Sequence, residues 1–176
     1  MIDKNTLKSS RRAWIRRAKR SDATEMVRLA LASCKLHRPW VAPPTTEMAY
    51  VEWLKKHRPP RHELLLVGRH SDDAIVGNFN ISEIVGGAFC CGFLGFWIGE
   101  PYQKQGYALE GLKLVLRFAF SDLKLHRLEA NIQPENRASS ALVQRAGFKK
   151  EGYSQRYLKI GGRWRDHERW AIRSDA

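Results

Sequence analysis

Apolar positions in the first third of the chain recur at helical spacing. Residues 13–18 (AWIRRA) make a short strand-like run that Ser21-Asp22 interrupts. Asp22, with Glu25 three positions later, has the form of a helix N-terminal box. Behind it Met26, Leu29, Ala30 and Ser33 share one face at a 3.6-residue period. Pro39, Pro43 and Pro44 mark a loop, and Thr45 or Thr46 then caps a second helix reaching about residue 57. Tyr50, Trp53 and Leu54 cluster on one side of it. Pro59-Pro60 ends it, because proline has no amide hydrogen for the helical ladder.

The pattern then changes from helical to extended. Residues 62–68 (HELLLVG) are an apolar run of strand length, Ser71-Asp72-Asp73 is a turn, and residues 74–85 (AIVGNFNISEIV) are β-branched and partly alternating. Gly86-Gly87 is the strongest hairpin signal in the chain, with 88–98 (AFCCGFLGFWI) as the return strand. A long helix follows from Tyr107 to Ser121, with Ala108, Leu112, Val115, Leu116 and Ala119 as its apolar stripe. Residues 126–132 form another strand, 136–146 a second amphipathic helix closed by Gly147, and 151–160 with 163–172 a last hairpin turning at Gly161-Gly162. The order β-α-α-β-β-β-α-β-α-β-β predicts an α/β (α+β) fold with one mixed sheet, about seven strands and four helices. Residues 1–11 read as a loosely docked basic extension and 12–176 as a single domain.

Composition narrows the partners. Thirty-one Lys and Arg against 18 Asp and Glu give a net charge of +13. The basic residues are spread along the chain, with a denser run at 8–20. That balance suits nucleic acid, a ribonucleoprotein surface or a phosphorylated cofactor; a merely solvated basic surface is the other reading. No zinc-finger, RRM or KH signature accompanies it. Cys34, Cys90 and Cys91 offer neither a disulfide framework nor metal-ligand spacing, so no metal is expected and a reducing cytoplasm is. No stretch approaches the ~20 apolar residues that cross a membrane, and no secretory h-region follows the first basic residues.

The segment carrying chemistry is Gln103-Lys104-Gln105-Gly106-Tyr107-Ala108, between a strand and a helix. Its small residues let backbone N–H groups converge at a helix N-terminus, where unpaired donors and the helix dipole suit a pyrophosphate. It is neither a Walker loop nor a dinucleotide fingerprint, and alone such a loop is more often a tight connection. Its surroundings add Leu94-Gly95-Phe96-Trp97-Ile98-Gly99 before it, then Gln133-Pro134-Glu135-Asn136-Arg137-Ala138-Ser139 and Gln144-Arg145-Ala146-Gly147-Phe148. Here the chain resembles the GNAT superfamily, and more closely its ribosomal-protein-alanine N-acetyltransferases of the RimJ/RimL type. The tail Glu151-Gly152-Tyr153, Tyr157-Leu158 and Trp164-Arg165-Asp166-His167 is similar to the RimJ branch, as is Gly87-Ala88-Phe89. The likeness spans residues 13–172 and is specific in the second half.

The resemblance implies an acyl-CoA N-acyltransferase fold and acetyl-CoA as cosubstrate. Main chain of Phe96, Trp97 and Ile98 would pair with the pantetheine arm. Gln103, Lys104, Gln105, Gly106, Tyr107 and Ala108 would hold the pyrophosphate, with Lys104 assisting electrostatically. Asn131 and Asn136 would contact the cofactor or line the cleft. Ser139 would donate a proton to the departing thiolate, with Ser140 as the alternative register.

In this family the acetyl group passes directly from thioester to amine, so the protein must position reactants, stabilise an oxyanion and manage two protons. A backbone N–H near Trp97 or Ile98 is the expected oxyanion donor. Some RimL-type enzymes carry a carboxylate base where this chain has Leu158. Glu83 is the candidate here for binding or deprotonating the amine, with His126 and Tyr153 as weaker options. A chain N-terminus has a pKa of about 7.7–8.0 against about 10.4 for lysine, so an α-amine needs less help. The expected acceptor is therefore a protein N-terminus of ribosomal-protein type, met on or near ribosomal RNA. A small-molecule amine, antibiotic or polyamine is the rival acceptor, and a non-catalytic basic ribosome-assembly factor the rival class. Monomer and homodimer are equally compatible.

Overall fold

The computed structural model describes residues 5–38 and 40–175. In chain order its elements are β1 (Thr6–Ser9), β2 (Ala13–Arg17), α1 (Ala23–Ala32), α2 (Cys34–His37), α3 (Glu47–Lys56), β3 (Glu63–Arg69), β4 (Ile75–Val85) and β5 (Cys91–Ile98). Then come α4 (Tyr107–Ser121), β6 (Arg127–Ile132), α5 (Arg137–Arg145), β7 (Lys149–Ile160) and β8 (Arg163–Arg173). The eight strands form one sheet in the order β1-β2-β3-β4-β5-β6-β8-β7. Every neighbouring pair is antiparallel except β5 and β6, which run parallel and are joined by the α4 crossover.

The apolar run in β3 is explained by burial on both faces. Leu66 packs toward α1 and α3 with Trp14, Met26, Leu29, Tyr50, Ile75 and Trp97. Leu65 and Val67 pack toward α4 and α5 with Ile15, Phe79, Leu112, Val115, Phe118, Val143 and Phe148. Each fully buried side chain of this size contributes about 1.5–3 kcal/mol, so the two layers hold the sheet from both sides.

Several expectations are corrected. Thr6–Ser9, read as part of a loose extension, is an edge strand paired to β2. The short helix α2 is an addition. The Asp22–Glu25 box does not form: Asp22 accepts the Lys19 amide at 2.7 Å and pairs with Arg16 at 2.7 Å, while Glu25 accepts the Ile75 amide at 2.7 Å. Of the two threonines, Thr46 is the cap, accepting from the Ala49 amide at 3.1 Å. Val85 pairs with Cys91, so residues 86–90 form a five-residue connection rather than a two-residue turn. The β7–β8 hairpin does close through Gly161 and Gly162, with φ of +56° and +78°.

Candidate active site

The parallel pair β5/β6 is the origin of the site. Only Cys91, Gly92 and Phe93 pair with Arg127, Leu128 and Glu129. Beyond them β5 keeps pairing with β4 as far as Gly77–Ile98, and β6 with β8 as far as Ile132–Glu168. The two strands therefore diverge, and a wedge opens inside the sheet.

Ladder parity decides which main-chain groups face that wedge. Gly99 N donates to Val76 O at 2.9 Å, flanking the Gly77–Ile98 pair and marking it as a non-hydrogen-bonded position. By alternation the N–H and C=O of Trp97 point to Asn78 in β4, whereas those of Phe96 and Ile98 point to the open edge. Phe96 and Ile98 thus have backbone groups on the cleft side and Trp97 does not, which corrects the expectation that all three pair there. The Ile98 carbonyl is itself held by His37 Nε2 at 3.2 Å, leaving the N–H groups of Phe96 and Ile98 as the candidate oxyanion donors. The His37 ring also meets the buried Trp97 side chain edge-on, with centroids 4.8 Å apart.

A cavity of about 230 Å³ occupies the wedge. One wall is apolar: Trp40, Val41, Pro43 and Pro44 of the α2–α3 connection, with Trp53 of α3. The other is polar: Asn78, Asn80, Asn131, Gln133, Asn136, Ser139 and His167. Asn78 is 1% exposed, and neither its Oδ1 nor its Nδ2 has a protein partner; Asn131 Oδ1 is likewise buried and unpaired. Unpaired buried amides are costly, on the order of 1–3 kcal/mol each, and are expected where a ligand completes them. Among the described residues lining the cavity there is no Asp, Glu, Lys or Arg.

Asn136 caps α5 by accepting the Ser139 amide at 3.2 Å, which fixes the helix start beside the cavity. Ser139 lines the cavity, whereas Ser140 donates to Glu168 at 3.3 Å, so the register favours Ser139. Asn131, Asn136 and Ser139 are brought together with Phe96 and Trp97, as expected.

Residues 103–106 form an exposed turn ahead of α4. Lys104 and Gly106 have φ of +57° and +86°, and Gly106 is the residue preceding the helix, where its lack of a Cβ relieves the left-handed backbone. The first-turn amides behind it have no partner within the helix. Gln105 turns back on its own loop, its Nε2 donating to Pro101 O at 2.8 Å. Arg12, which the sequence did not single out, ties the loop down. Its Nη1 donates to Gln105 O at 3.2 Å, its Nη2 pairs with Glu110 at 2.6 Å, and its guanidinium lies 5.1 Å from the Tyr107 ring centroid. Burial pushes the Glu110 carboxyl up, but bonds from Ser10 and Arg12 outweigh it and hold the pKa below the ordinary value.

The other candidates lie elsewhere. Glu83 sits at a bulge with φ of +49°, is bound to Arg61 at 2.8 Å, and does not line the cavity. His126 is at the opposite end of β6, near Ser174. Tyr153 donates to Asp166 at 2.6 Å, and that bond raises its phenol pKa. His167, Asn78 and Asn80 are cavity residues the sequence left out of its candidates. Each has polar company in its own strand, Asn78 beside Asn80 and His167 between Asp166 and Glu168, and only the divergence of β5 and β6 gives them a cavity to face.

A split mixed sheet, a left-handed turn feeding a helix N-terminus and an open strand edge meet at this cleft. The Acetyltransferase (GNAT) domain family matches residues 12–149, and the chain belongs to it. The chain is similar to the ribosomal protein uS5-alanine N-acetyltransferase of Escherichia coli K12, 42% identical over 93 residues that cover 53% of this chain and 48% of that one. It is also similar to the probable N-acetyltransferase YjcK of Bacillus subtilis, 38% identical over 102 residues, covering 58% and 56%. The chain spans about half the length of these curated relatives. Among solved structures, Mycobacterium smegmatis RimJ in complex with CoA-disulfide superposes with a TM-score of 0.86 at 27% identity, covering 93% of this chain and 82% of that one. No helix among the described residues is long and apolar enough to cross a membrane.

Proposed function

We propose that the protein acetylates the N-terminal α-amine of a protein chain, with acetyl-CoA as donor and a ribosomal protein as acceptor. The observation that carries this reading is the neutral cavity wall. Asn78, Asn80, Asn131, Gln133 and Asn136 can hydrogen-bond a peptide, yet among the described lining residues no carboxylate is present to hold a polycation. Near pH 7.4 roughly a quarter of α-amines are already neutral, against about one lysine in a thousand. A site without an acidic counter-charge therefore favours an α-amine over a lysine or a polyamine. The net charge of +13 adds repulsion against small cationic amines and attraction toward a ribonucleoprotein surface.

Bound acetyl-CoA would supply an activated acetyl thioester. The residues present fit such a donor: the N–H groups of Phe96 and Ile98 lie on the open edge, the amides from Gly106 into α4 are available to a diphosphate, and Asn131 Oδ1 lacks a partner. The N–H groups of Phe96 and Ile98 would stabilise negative charge on the carbonyl oxygen, and Ser139 would donate its hydroxyl proton to the sulfur. The apolar wall of Trp40, Val41, Pro43, Pro44 and Trp53 receives the first side chain of the acceptor.

The test is acetyl transfer to a peptide panel: free N-termini lacking lysine, blocked N-termini containing lysine, and spermidine alongside. Mass spectrometry should place the label on α-amines. Label confined to spermidine or to lysine side chains would overturn the proposal.

A further inference from the structure

We propose that His167 takes the proton from the acceptor amine, with its tautomer set by the Arg165 carbonyl; the inference rests on the acetyl-transfer reading of the cleft. His167 is 3% exposed and lines the cavity from β8. Among the described lining residues it is the one imidazole, and no Asp, Glu, Lys or Arg lines the cavity beside it. Its Nδ1 lies 3.0 Å from Arg165 O. A carbonyl only accepts, so Nδ1 carries the hydrogen and Nε2 keeps its lone pair. That is the form a general base needs, held by a backbone group two residues away.

From β7, Ser154 stands opposite His167 in the ladder, and the Tyr157 ring lies 6.1 Å away. On β8 itself Asp166 is occupied by Tyr153 and by the Arg156 amide, at 2.6 and 2.8 Å, and Arg165 keeps a buried Nε without a partner. Across the cavity the facing groups are the neutral amides of Asn78, Asn80, Asn131 and Gln133. The alternatives are engaged elsewhere: Glu83 with Arg61, Tyr153 with Asp166, His126 with Ser174.

The proton balance closes with two residues. His167 Nε2 removes one proton from the ammonium, and the N–H electron pair stays on nitrogen to form the bond to the acetyl carbon. As the C–S bond breaks and sulfur keeps its pair, Ser139 gives sulfur a proton and is refilled by the second proton of the attacking nitrogen. His167 returns its proton to water. One amide, one thiol and one solvent proton result.

The experiment compares wild type with His167→Gln and His167→Asn on whichever amine wild type acetylates fastest, drawn from peptides and small amines. Expected is a fall in kcat of about 100-fold or more, loss of the acid limb of the kcat profile, and unchanged affinity for CoA. Long-range 1H–15N correlation on histidine-labelled protein should assign the Nδ1–H tautomer to the ring signal missing from His167→Gln. Retention of kcat within about threefold by either variant that binds CoA normally, or an Nε2–H tautomer, would overturn the assignment. A wrong acceptor class would show in which amine is labelled, and a wrong base in the variant-to-wild-type ratio.

Discussion

The Ser140 hydroxyl donates to Glu168 Oε2 at 3.3 Å, tying α5 to β8 one position past the residue that faces the cleft. The same carboxylate also holds Lys150 and, at 3.1 Å, Trp170 Nε1, so Ser140 is part of a structural knot. Ser139 is left to the cavity. Ser139→Ala should therefore lower kcat by about 10–100-fold with CoA affinity unchanged. Ser140→Ala should leave kcat near wild type and cost about 0.5–1.5 kcal/mol of stability. Steady-state kinetics beside denaturant melts check both; equal kinetic losses would refute the register.

Gly106→Ala should weaken CoA binding. The substitution strains a backbone at φ +86° and brings a Cβ within 3.1 Å of Arg12 Nη2, at a stability cost of about 1 kcal/mol or more. Arg12→Ala should weaken CoA binding too, by releasing the Gln105 carbonyl and Glu110 rather than by straining the turn. Calorimetric titration of each variant reads the effect, and unaltered affinity in both would show that this loop does not hold the diphosphate.

Gly111→Ala separates helix propensity from packing. Alanine is favoured over glycine inside a helix by about 1 kcal/mol. Here the added Cβ would lie 2.8 Å from Val67 Cγ2 and 3.1 Å from Phe79, where α4 rests on the sheet. Overpacking of about 1–3 kcal/mol should win, giving a lower Tm with helical content retained. A higher Tm by circular dichroism would contradict it.

Stability should fall as pH drops below about 6.5, in part through His37. Burial holds its pKa below the ordinary 6.5, against the opposing pull of the Ile98 carbonyl. In that interval the unfolded chain binds the proton and the folded one does not, so protonation favours unfolding. His37→Gln, which keeps a donor for Ile98, should flatten the decline that begins below about pH 6.5. Glu110 and Glu168, held below their ordinary values, act only at more acidic pH. Thermal melts across this range check it, and matching slopes would exclude His37.

Much of the fold was legible because burial writes itself into periodicity. The stripe from Ala108 to Ala119 predicted α4 at its observed bounds, Tyr107–Ser121. The run at 62–68 predicted β3, observed at Glu63–Arg69, since a strand covered on both faces has no polar side to alternate. β1 was missed because its four residues, TLKS, are only half-buried at a sheet edge and carry no apolar signature. Asn131, Asn136 and Ser139, which the resemblance grouped, do line one cavity. Trp97 was placed wrongly because hydrogen-bond parity depends on the partner strand, which sequence does not state. Glu83 lies in the register shift between Ser82 and Val85, is held by Arg61 and does not line the cavity. His167 looks like any strand histidine until two distant strands part beside it.

The short seam of Cys91–Phe93 against Arg127–Glu129 divides the sheet into a five-strand block and a three-strand block. A thioester arm lying along Phe96 and Ile98 would act as a splint across that seam, so filling the cleft and stiffening the molecule become one event. Donor and acceptor would then meet on a frame braced by the donor itself.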